Sequence, residues 1–443
     1  MRRSGYRATT LVLFLLCLMY AITYVDRVNI ATAAISFRRD FNLSNIEYGW
    51  VFSAFAYTYA AFQIIGGFLG DRFGPRLTLA TCGVIWGVAT IGMGLTTGFW
   101  SLVLVRLLLG IGEGATFPTA TRALARWSKA GSRGFAQGIT HSFARLGNSL
   151  APPLIAALIV VWGWRGSFFC LGLLSCAWAL VWFVYFRDQP ADHAGISQAE
   201  LDVLPKTSTA SQGAATPWRP LLRRMLPTTL VYFCYGWTLW VYVSWLPQFF
   251  QQGQNLDLKS SALFSAAVFL AGVVGDTLGG VISDRILART GNLKLARCNL
   301  ICLSFIGSLI CLIPVFYTNN LTVLTASLAA AFFCLELSIG PVWSVPMDIA
   351  PYHAGTASGI MNTGAAIAAI ISPTVFGYVV ELTGSWAAPF VASIGLLLVG
   401  AAATFFMRPD RTLDVGAVPD QLHVACAPAR QAPAGLAARL QQS

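Results

Sequence analysis

The chain has 443 residues, 56% hydrophobic and only 11% charged, with a formal net charge of +11 and a mean hydropathy of +0.65. A soluble domain carries about a quarter charged residues, so this composition excludes an ordinary water-soluble enzyme. The positive balance does not point to nucleic acid, because the basic residues are sorted between the two ends of long apolar segments.

Twelve apolar stretches of membrane-spanning length are predicted, at 11–34, 47–69, 77–97, 100–121, 135–160, 165–186, 226–250, 261–282, 296–317, 321–347, 355–380 and 386–407. The first is longer than a signal-peptide core and meets no small-residue cleavage site, so it reads as a retained helix. With the N-terminus inside, 22 of the 29 Lys and Arg fall on the cytoplasmic side, against 4 outside (Arg38, Arg39, Arg165, Lys259). This bias predicts that both termini are cytoplasmic. The expected organisation is an N-terminal six-helix bundle over 1–186, a cytoplasmic linker over 187–224, a C-terminal six-helix bundle over 225–408 and a disordered cytoplasmic tail over 409–443. Ser197-x-x-Glu200 is a capping-box pattern and predicts a short surface helix within the linker.

The first span carries Tyr24-Val25-Asp26-Arg27. A central Asp or Arg costs a membrane helix roughly 2.5–3.5 kcal/mol, and such groups persist when they face a polar cavity with partners. The second span ends in Gly70-Asp71-Arg72-Phe73-Gly74-Pro75-Arg76, and the eighth, six spans on, in Gly279-Gly280-Val281-Ile282-Ser283-Asp284-Arg285. Each places an Asp-Arg pair where it can latch onto neighbouring helix ends. The recurrence implies two parallel halves, a known transporter design.

The fourth span holds Arg106 and Glu113, about 10 Å apart along one helix and on nearly one face. The glycines between and after them (Gly110, Gly112, Gly114) follow no strand, so close helix packing explains them better than a dinucleotide loop. Arg145 lies in the fifth span, Asp276 in the eighth and Glu336 in the tenth. Depth along the helices allows an outer Asp26–Arg106 pair and an inner Glu113–Arg145 pair. Asp276 and Glu336 read either as a gate or as structural partners. Cys298 and Cys302 sit one turn apart with no His or carboxylate cluster, so no metal site is expected.

Asp26, Arg27, Arg106, Glu113 and Arg145 sum to +1 with both acids ionised, and protonating one gives +2. Such a cavity attracts an organic anion, more strongly after proton uptake. Arg27 is the first choice for a carboxylate head group, since a guanidinium can offer two parallel hydrogen bonds. Arg145 holds either a second end of the substrate or Glu113 alone. Glu113 is the leading proton carrier and Asp26 the second: desolvation favours a neutral acid and a nearby guanidinium an ionised one.

The loop after the second span resembles the signature of the major facilitator superfamily, and Arg106-Leu-Leu-Leu-Gly110-Ile-Gly112-Glu113-Gly114 resembles the RxxxGxGxG pattern of its fourth helix. The finer resemblance is to the anion:cation symporter family, which includes bacterial galactonate, glucarate and hexuronate carriers. It rests on Tyr24-x-Asp26-Arg27-x-Asn29, Tyr59, Arg106…Glu113-Gly114…Pro118, Gly340-Pro341-Val342-Trp343-Ser344 and Gly359-x-x-Asn362. The resemblance implies an all-α protein of twelve transmembrane helices in two pseudo-symmetric bundles, in a bacterial inner membrane. It implies proton-coupled import of a small organic anion, most naturally a sugar acid, by alternating access, with protons as the coupling ion and no other cofactor. Lipid is the expected surroundings, nucleic acid is not a partner, and a monomer is expected. Tyr24, Tyr59, Trp343, Ser344 and Asn362 match binding positions of the family. Asp71, Arg72, Asp284, Arg285 and Arg106 read as gating or salt-bridge residues. Where the galactonate carriers have a Gln on the fifth helix, this chain has Ala144 with Arg145 beside it, which keeps other carboxylates and sulfonates open as substrates. An exchanger or uniporter on the same fold is the alternative; a transport-incompetent sensor lacks a signalling domain.

Overall fold

The computed structural model describes residues 8–205, 215–318 and 320–413, and among them there are helices and no strands. The first half comprises α1 (Ala8–Phe41), α2 (Asn45–Phe73), α3 (Pro75–Gly94), α4 (Phe99–Gly114), α5 (Thr116–Trp127) and α6 (Arg133–Tyr185). A short α7 (Gln198–Leu201) lies in the connection. The second half comprises α8 (Trp218–Gln248), α9 (Leu258–Thr290), α10 (Leu300–Leu312), α11 (Leu321–Glu336), α12 (Ile339–Ile349), α13 (Ala354–Thr383) and α14 (Phe390–Ala403). These helices make twelve crossings. α4 and α5 are one span interrupted at Ala115, and α11 and α12 are one span interrupted after Glu336. α6 is two spans folded back at Gly163, whose φ of 70° lies in the left-handed region. Open space surrounds the Cβ position at Gly163, so the requirement for glycine there is conformational.

Local sequence accounts for the helix starts. Ser44 and Glu47 form a reciprocal capping box at α2, and Asp257 accepts from the amides of Lys259 and Ser260 at α9. Pro75 opens α3 in the first-turn position that tolerates a missing N–H. The glycines of the fourth span pack it closely, as expected. A Cβ at Gly110 would lie 2.4 Å from the Phe55 carbonyl of α2, at Gly112 2.7 Å from the Trp86 nitrogen of α3, and at Gly114 2.8 Å from the Tyr59 carbonyl of α2.

Some boundaries differ from the sequence reading. The seventh span begins at Trp218, inside the stretch assigned to the linker, because Pro217 precedes a run compatible with helix that continues the apolar segment. The linker holds the expected short helix α7, and it is docked: Thr9 donates to Glu200 from its amide (3.2 Å) and its hydroxyl (2.9 Å). Partial burial opposes ionisation of Glu200, but the bonds from Ser197 and Thr9 hold its carboxyl below the usual range. Of the stretch assigned to the tail, 409–413 is described, and the Leu413 amide donates to the Ile349 carbonyl at 2.7 Å. The remainder, 414–443, lies outside the described residues.

The two halves meet through α2 against α13, α6 against α9, α5 against α13 and α6 against α12. These contacts include the end of the bundle that holds Asp71 and Asp284, the basic end. Asp71 accepts from the Gly355 and Thr356 amides (3.0 and 2.6 Å) at the start of α13 and pairs with Arg122 at 3.3 Å. Asp284 accepts from the Gly134 and Phe135 amides (3.0 and 2.7 Å) at the start of α6 and pairs with Arg297 at 3.1 Å. Each half therefore caps a helix of the other with a carboxylate, placing negative charge on the positive end of a helix dipole. The adjoining Arg72 and Arg285, expected as latch partners, do not take part. Arg72 is exposed over the Phe68 and Phe73 rings, and Arg285 is exposed. Arg122 and Arg297 replace them because they are buried beside the acids while the loop arginines point outward. Between the caps the backbones touch: a Cβ on Gly67 would lie 2.2 Å from the Gly355 carbonyl, and one on Gly280 2.2 Å from that of Gly134.

A charge-assisted hydrogen bond contributes about 1.5–3 kcal/mol. Replacing Asp71 and Asp284 together by Asn is therefore expected to open the basic end. Spin labels at Lys129 and Arg285 would report a new population at longer distance. An unchanged distance distribution would show that the carboxylates do not hold the halves together.

Candidate functional site

Midway along α1 the chain presents Tyr24 and Arg27 to the same side, three residues apart on the helix. Arg27 Nε donates to Glu113 Oε2 at 2.6 Å, joining α1 to the end of α4. Its guanidinium is walled by aromatic rings: Tyr24 at 4.9 Å, Tyr59 at 4.7 Å, Phe117 at 5.3 Å and Phe55 at 5.4 Å. Glu113 is fully buried while the Arg27 side chain keeps 12% of its exposure, so the cation is the accessible member of the pair. Ring faces attract a guanidinium, which lets Arg27 stay in place without a second carboxylate.

The Arg145 guanidinium lies 5.8 Å from the same Tyr24 ring. It faces the second half rather than Glu113. Its Nη2 is 3.3 Å from Glu336 Oε2 and donates to the Tyr235 hydroxyl at 2.7 Å, and its Nε is 3.9 Å from Asp276 Oδ2. The expected Glu113–Arg145 pair is thus replaced by two others, Glu113–Arg27 and Arg145–Glu336. α6 directs Arg145 across the interface, where two buried acids outcompete one that is already engaged.

The expected Asp26–Arg106 pair does not form either. Asp26, next to Arg27 but on the opposite face of α1, is buried against α6, where it accepts from the Ser175 hydroxyl at 3.2 Å. Arg106 donates to the Val51 and Phe52 carbonyls of α2 (3.2 and 3.4 Å) and lies 4.7 Å from the Phe55 ring. Similar depth did not bring them together, because they occupy different faces of their helices.

The other expected site residues surround the same space. Tyr59 lies under Arg27, and Trp343 is buried with its indole donating to the Tyr232 hydroxyl at 2.7 Å. Asn362 donates to Gln63 at 2.7 Å across the two halves. Ser344 departs from expectation: its hydroxyl is used by its own helix, donating to the Gly340 carbonyl at 2.8 Å. Four residues were not anticipated, namely Gln63, His141, Tyr232 and Tyr235. Their signal is in the sequence as polar residues spaced three or four apart in apolar spans: Tyr59 with Gln63, His141 with Arg145, Tyr232 with Tyr235. Among the described residues no group of three or more His, Cys, Asp or Glu could hold a metal ion.

Two bundles of membrane-length helices that meet at buried charges are the architecture of a membrane transporter. The sequence comparisons agree: the chain belongs to the Major Facilitator Superfamily, whose family model matches residues 16–373. It is 48% identical to the "Probable sulfoacetate transporter SauU" of Cupriavidus necator, over 91% of this chain and 95% of that one. It is 30% identical to the "D-galactonate transporter" of Escherichia coli over 91% and 96%, and 29% identical to the "Hexuronate transporter" of Bacillus subtilis over 90% and 94%. Among solved structures, the proton:xylose symporter XylE of the same superfamily superposes with a TM-score of 0.74 at 16% identity, over 90% of this chain and 96% of that one. The protein is thus an integral membrane transporter and not an enzyme.

Removing one partner of a buried ion pair costs about 3–5 kcal/mol. Glu113→Ala, which strands Arg27, should lower the melting temperature of the protein in nanodiscs clearly. Glu113→Gln, which keeps an acceptor for Arg27, should lower it much less. Equal melting temperatures for all three proteins would mean that the pair contributes nothing to stability.

Proposed function

We propose that the protein imports a small organic anion together with protons, across a bacterial inner membrane, as a monomer with both termini in the cytoplasm. The observation that carries this reading is the Arg27–Glu113 pair, whose exposed member is the cation and whose buried member is an acid. An incoming carboxylate or sulfonate can take the place of Glu113 on Arg27, provided Glu113 accepts a proton as it is released. One anion and one proton then occupy the site together, which is the elementary requirement for coupling them. The closed basic end corresponds to an outward-facing state, from which parting of the Asp71 and Asp284 caps would release the cargo inward. Pure exchange or uniport needs no titratable partner for Arg27, so the pair favours symport.

For the cargo, a short anion with two acidic ends fits better than the sugar acid expected from the wider family. The relative at 48% identity is named for sulfoacetate, whereas those named for sugar acids stand at 30% or below. Several of the groups expected to meet hydroxyls are already engaged: Ser344 bonds its own helix, the Trp343 indole is taken by Tyr232, and Asn362 donates to Gln63. Two guanidiniums close to one phenol ring suit an anion with two charged ends instead. A sugar acid remains the second reading, favoured by the cross-half amide pair if it opens to meet hydroxyls.

Proteoliposomes holding the purified protein decide between these. With an acidic exterior, sulfoacetate should accumulate and the interior should acidify, while galactonate and glucuronate should not. The reverse preference would establish the sugar-acid reading, and accumulation without proton entry would remove symport. Arg27→Ala should abolish uptake and counterflow at every pH. Glu113→Gln should retain counterflow and lose accumulation driven by the proton gradient.

A further inference from the structure

The cluster around Arg145 carries a charge imbalance that the reading above does not use. Asp276 on α9 and Glu336 at the end of α11 are both fully buried, and they share one guanidinium. Glycines bring the two helices together. A Cβ on Gly275 would lie 3.1 Å from Glu336 Cβ, and one on Gly272 3.1 Å from Glu336 Cγ. Both carboxyls therefore sit on the one guanidinium, Glu336 at 3.3 Å and Asp276 at 3.9 Å. Glu336 Oε2 accepts from the Tyr235 hydroxyl at 2.9 Å, but Glu336 Oε1 and both oxygens of Asp276 accept no hydrogen bond from any described residue.

Other polar groups around the cluster supply no second cation. From α1 comes the Tyr24 hydroxyl, which accepts from Arg145 at 3.4 Å. From α8 come Tyr232 and Tyr235, and from α12 Trp343, whose indole is spent on Tyr232. On α6, His141 stands one turn before Arg145 with Nδ1 2.9 Å from the Gln137 carbonyl. That nitrogen carries a hydrogen, as it can in a neutral ring, and no carboxylate of a described residue pairs with the imidazole, which packs against the Tyr20 and Trp343 rings. With both acids ionised the cluster would hold a net charge of −1 in a desolvated place. A buried charge without a partner costs several kcal/mol, and two carboxylates at one site do not both remain ionised.

We propose that Asp276 and Glu336 hold one proton between them, forming a proton site in the C-terminal half that is distinct from Glu113. The proton comes from water and forms an O–H bond on one carboxyl oxygen, leaving the other acid ionised against Arg145. The cluster is then neutral. Loss of the proton gives Arg145 two carboxylate partners in the second half and tightens its bridge between the halves. Uptake of the proton loosens that bridge and frees Arg145 to turn past Tyr24 toward an anion. The site thus ties the proton to the cross-half contact and to the second guanidinium of the substrate space. Its role in transport rests on the function proposed above; its existence does not.

Infrared spectroscopy of the purified protein in lipid tests this without any substrate. The wild type at neutral pH should show a carboxylic acid C=O band. A component of that band should be lost in Asp276→Asn and equally in Glu336→Gln, since either change leaves one carboxylate for one guanidinium and no need of a proton. Glu113→Gln should leave that component in place. The helical amide bands of the same spectra report folding. Should both variants misfold, Tyr235→Phe, which keeps both acids and removes the donor to Glu336, should shift the band. An acid band of the same intensity in the wild type and both folded variants, or an unshifted one in Tyr235→Phe, overturns the proposal. In proteoliposomes with sulfoacetate as the probe, Asp276→Asn should move one proton fewer per anion. Failure of the wild type to carry sulfoacetate would count against the proposed function and leave the infrared result standing.

Discussion

Everything at the centre of this bundle follows from the cost of placing charge in hydrocarbon. At the centre the structure gathers three guanidiniums (Arg27, Arg106, Arg145) and four carboxyls (Asp26, Glu113, Asp276, Glu336), so with every group ionised this set is short of positive charge by one. The structure distributes these groups unevenly. Arg27 and Glu113 neutralise each other, and Arg106 rests on backbone carbonyls and a ring. Asp26 is held by a hydroxyl, and Arg145 serves two acids. The proton proposed for the Asp276–Glu336 pair balances such a set. The proposed coupling to protons would then follow from folding these side chains into a low-dielectric space, before any substrate is considered.

The aromatic rings make this arrangement usable. A guanidinium bound only by a carboxylate would be left stranded when the acid takes a proton. Arg27 has four rings within 5.4 Å, so part of its stabilisation persists when Glu113 is neutral. In the proposed function, the carboxylate would exchange for an anion without the site losing the Arg27 cation. Tyr24 contributes to both guanidiniums and so fixes the geometry of the space between them.

Much of this was legible in the chain, for physical reasons. Hydropathy and charge bias reveal spans because a bilayer forces long apolar helices, and the repeated Asp-bearing loops reveal two halves. The buried acids and arginines could be found individually because each is costly in a membrane helix. Their pairing could not. Asp26 and Arg106 share a depth but face different neighbours, and Arg145 turned to α9 and α11, far away in sequence. Depth is set by position along one helix, whereas pairing depends on the rotation of each helix about its axis and on which helices adjoin. The latch partners were missed for a similar reason. Arg72 adjoins Asp71 in the chain, but Arg122 adjoins it in the fold.

The latches and the central site are joined by the same two helices. Asp284 caps the start of α6, and ten residues further on, about 15 Å along the axis, that helix carries Arg145. Asp71 caps the start of α13, which seven residues on from Gly355, about 10 Å along its axis, carries Asn362. A stiff helix held at one end by a carboxylate from the opposite half cannot tilt without moving the side chains it presents to the centre. Conversely, pulling Arg145 away from Glu336, or Asn362 from Gln63, loads the cap at the other end of the helix. The pseudo-symmetry makes this happen on both sides at once, because each half holds a helix of its partner. The proton proposed for the Arg145 cluster would therefore act where a rigid lever can carry its effect to the closed end, and the spacing of acid cap and site residue along α6 and α13 is what makes the lever short.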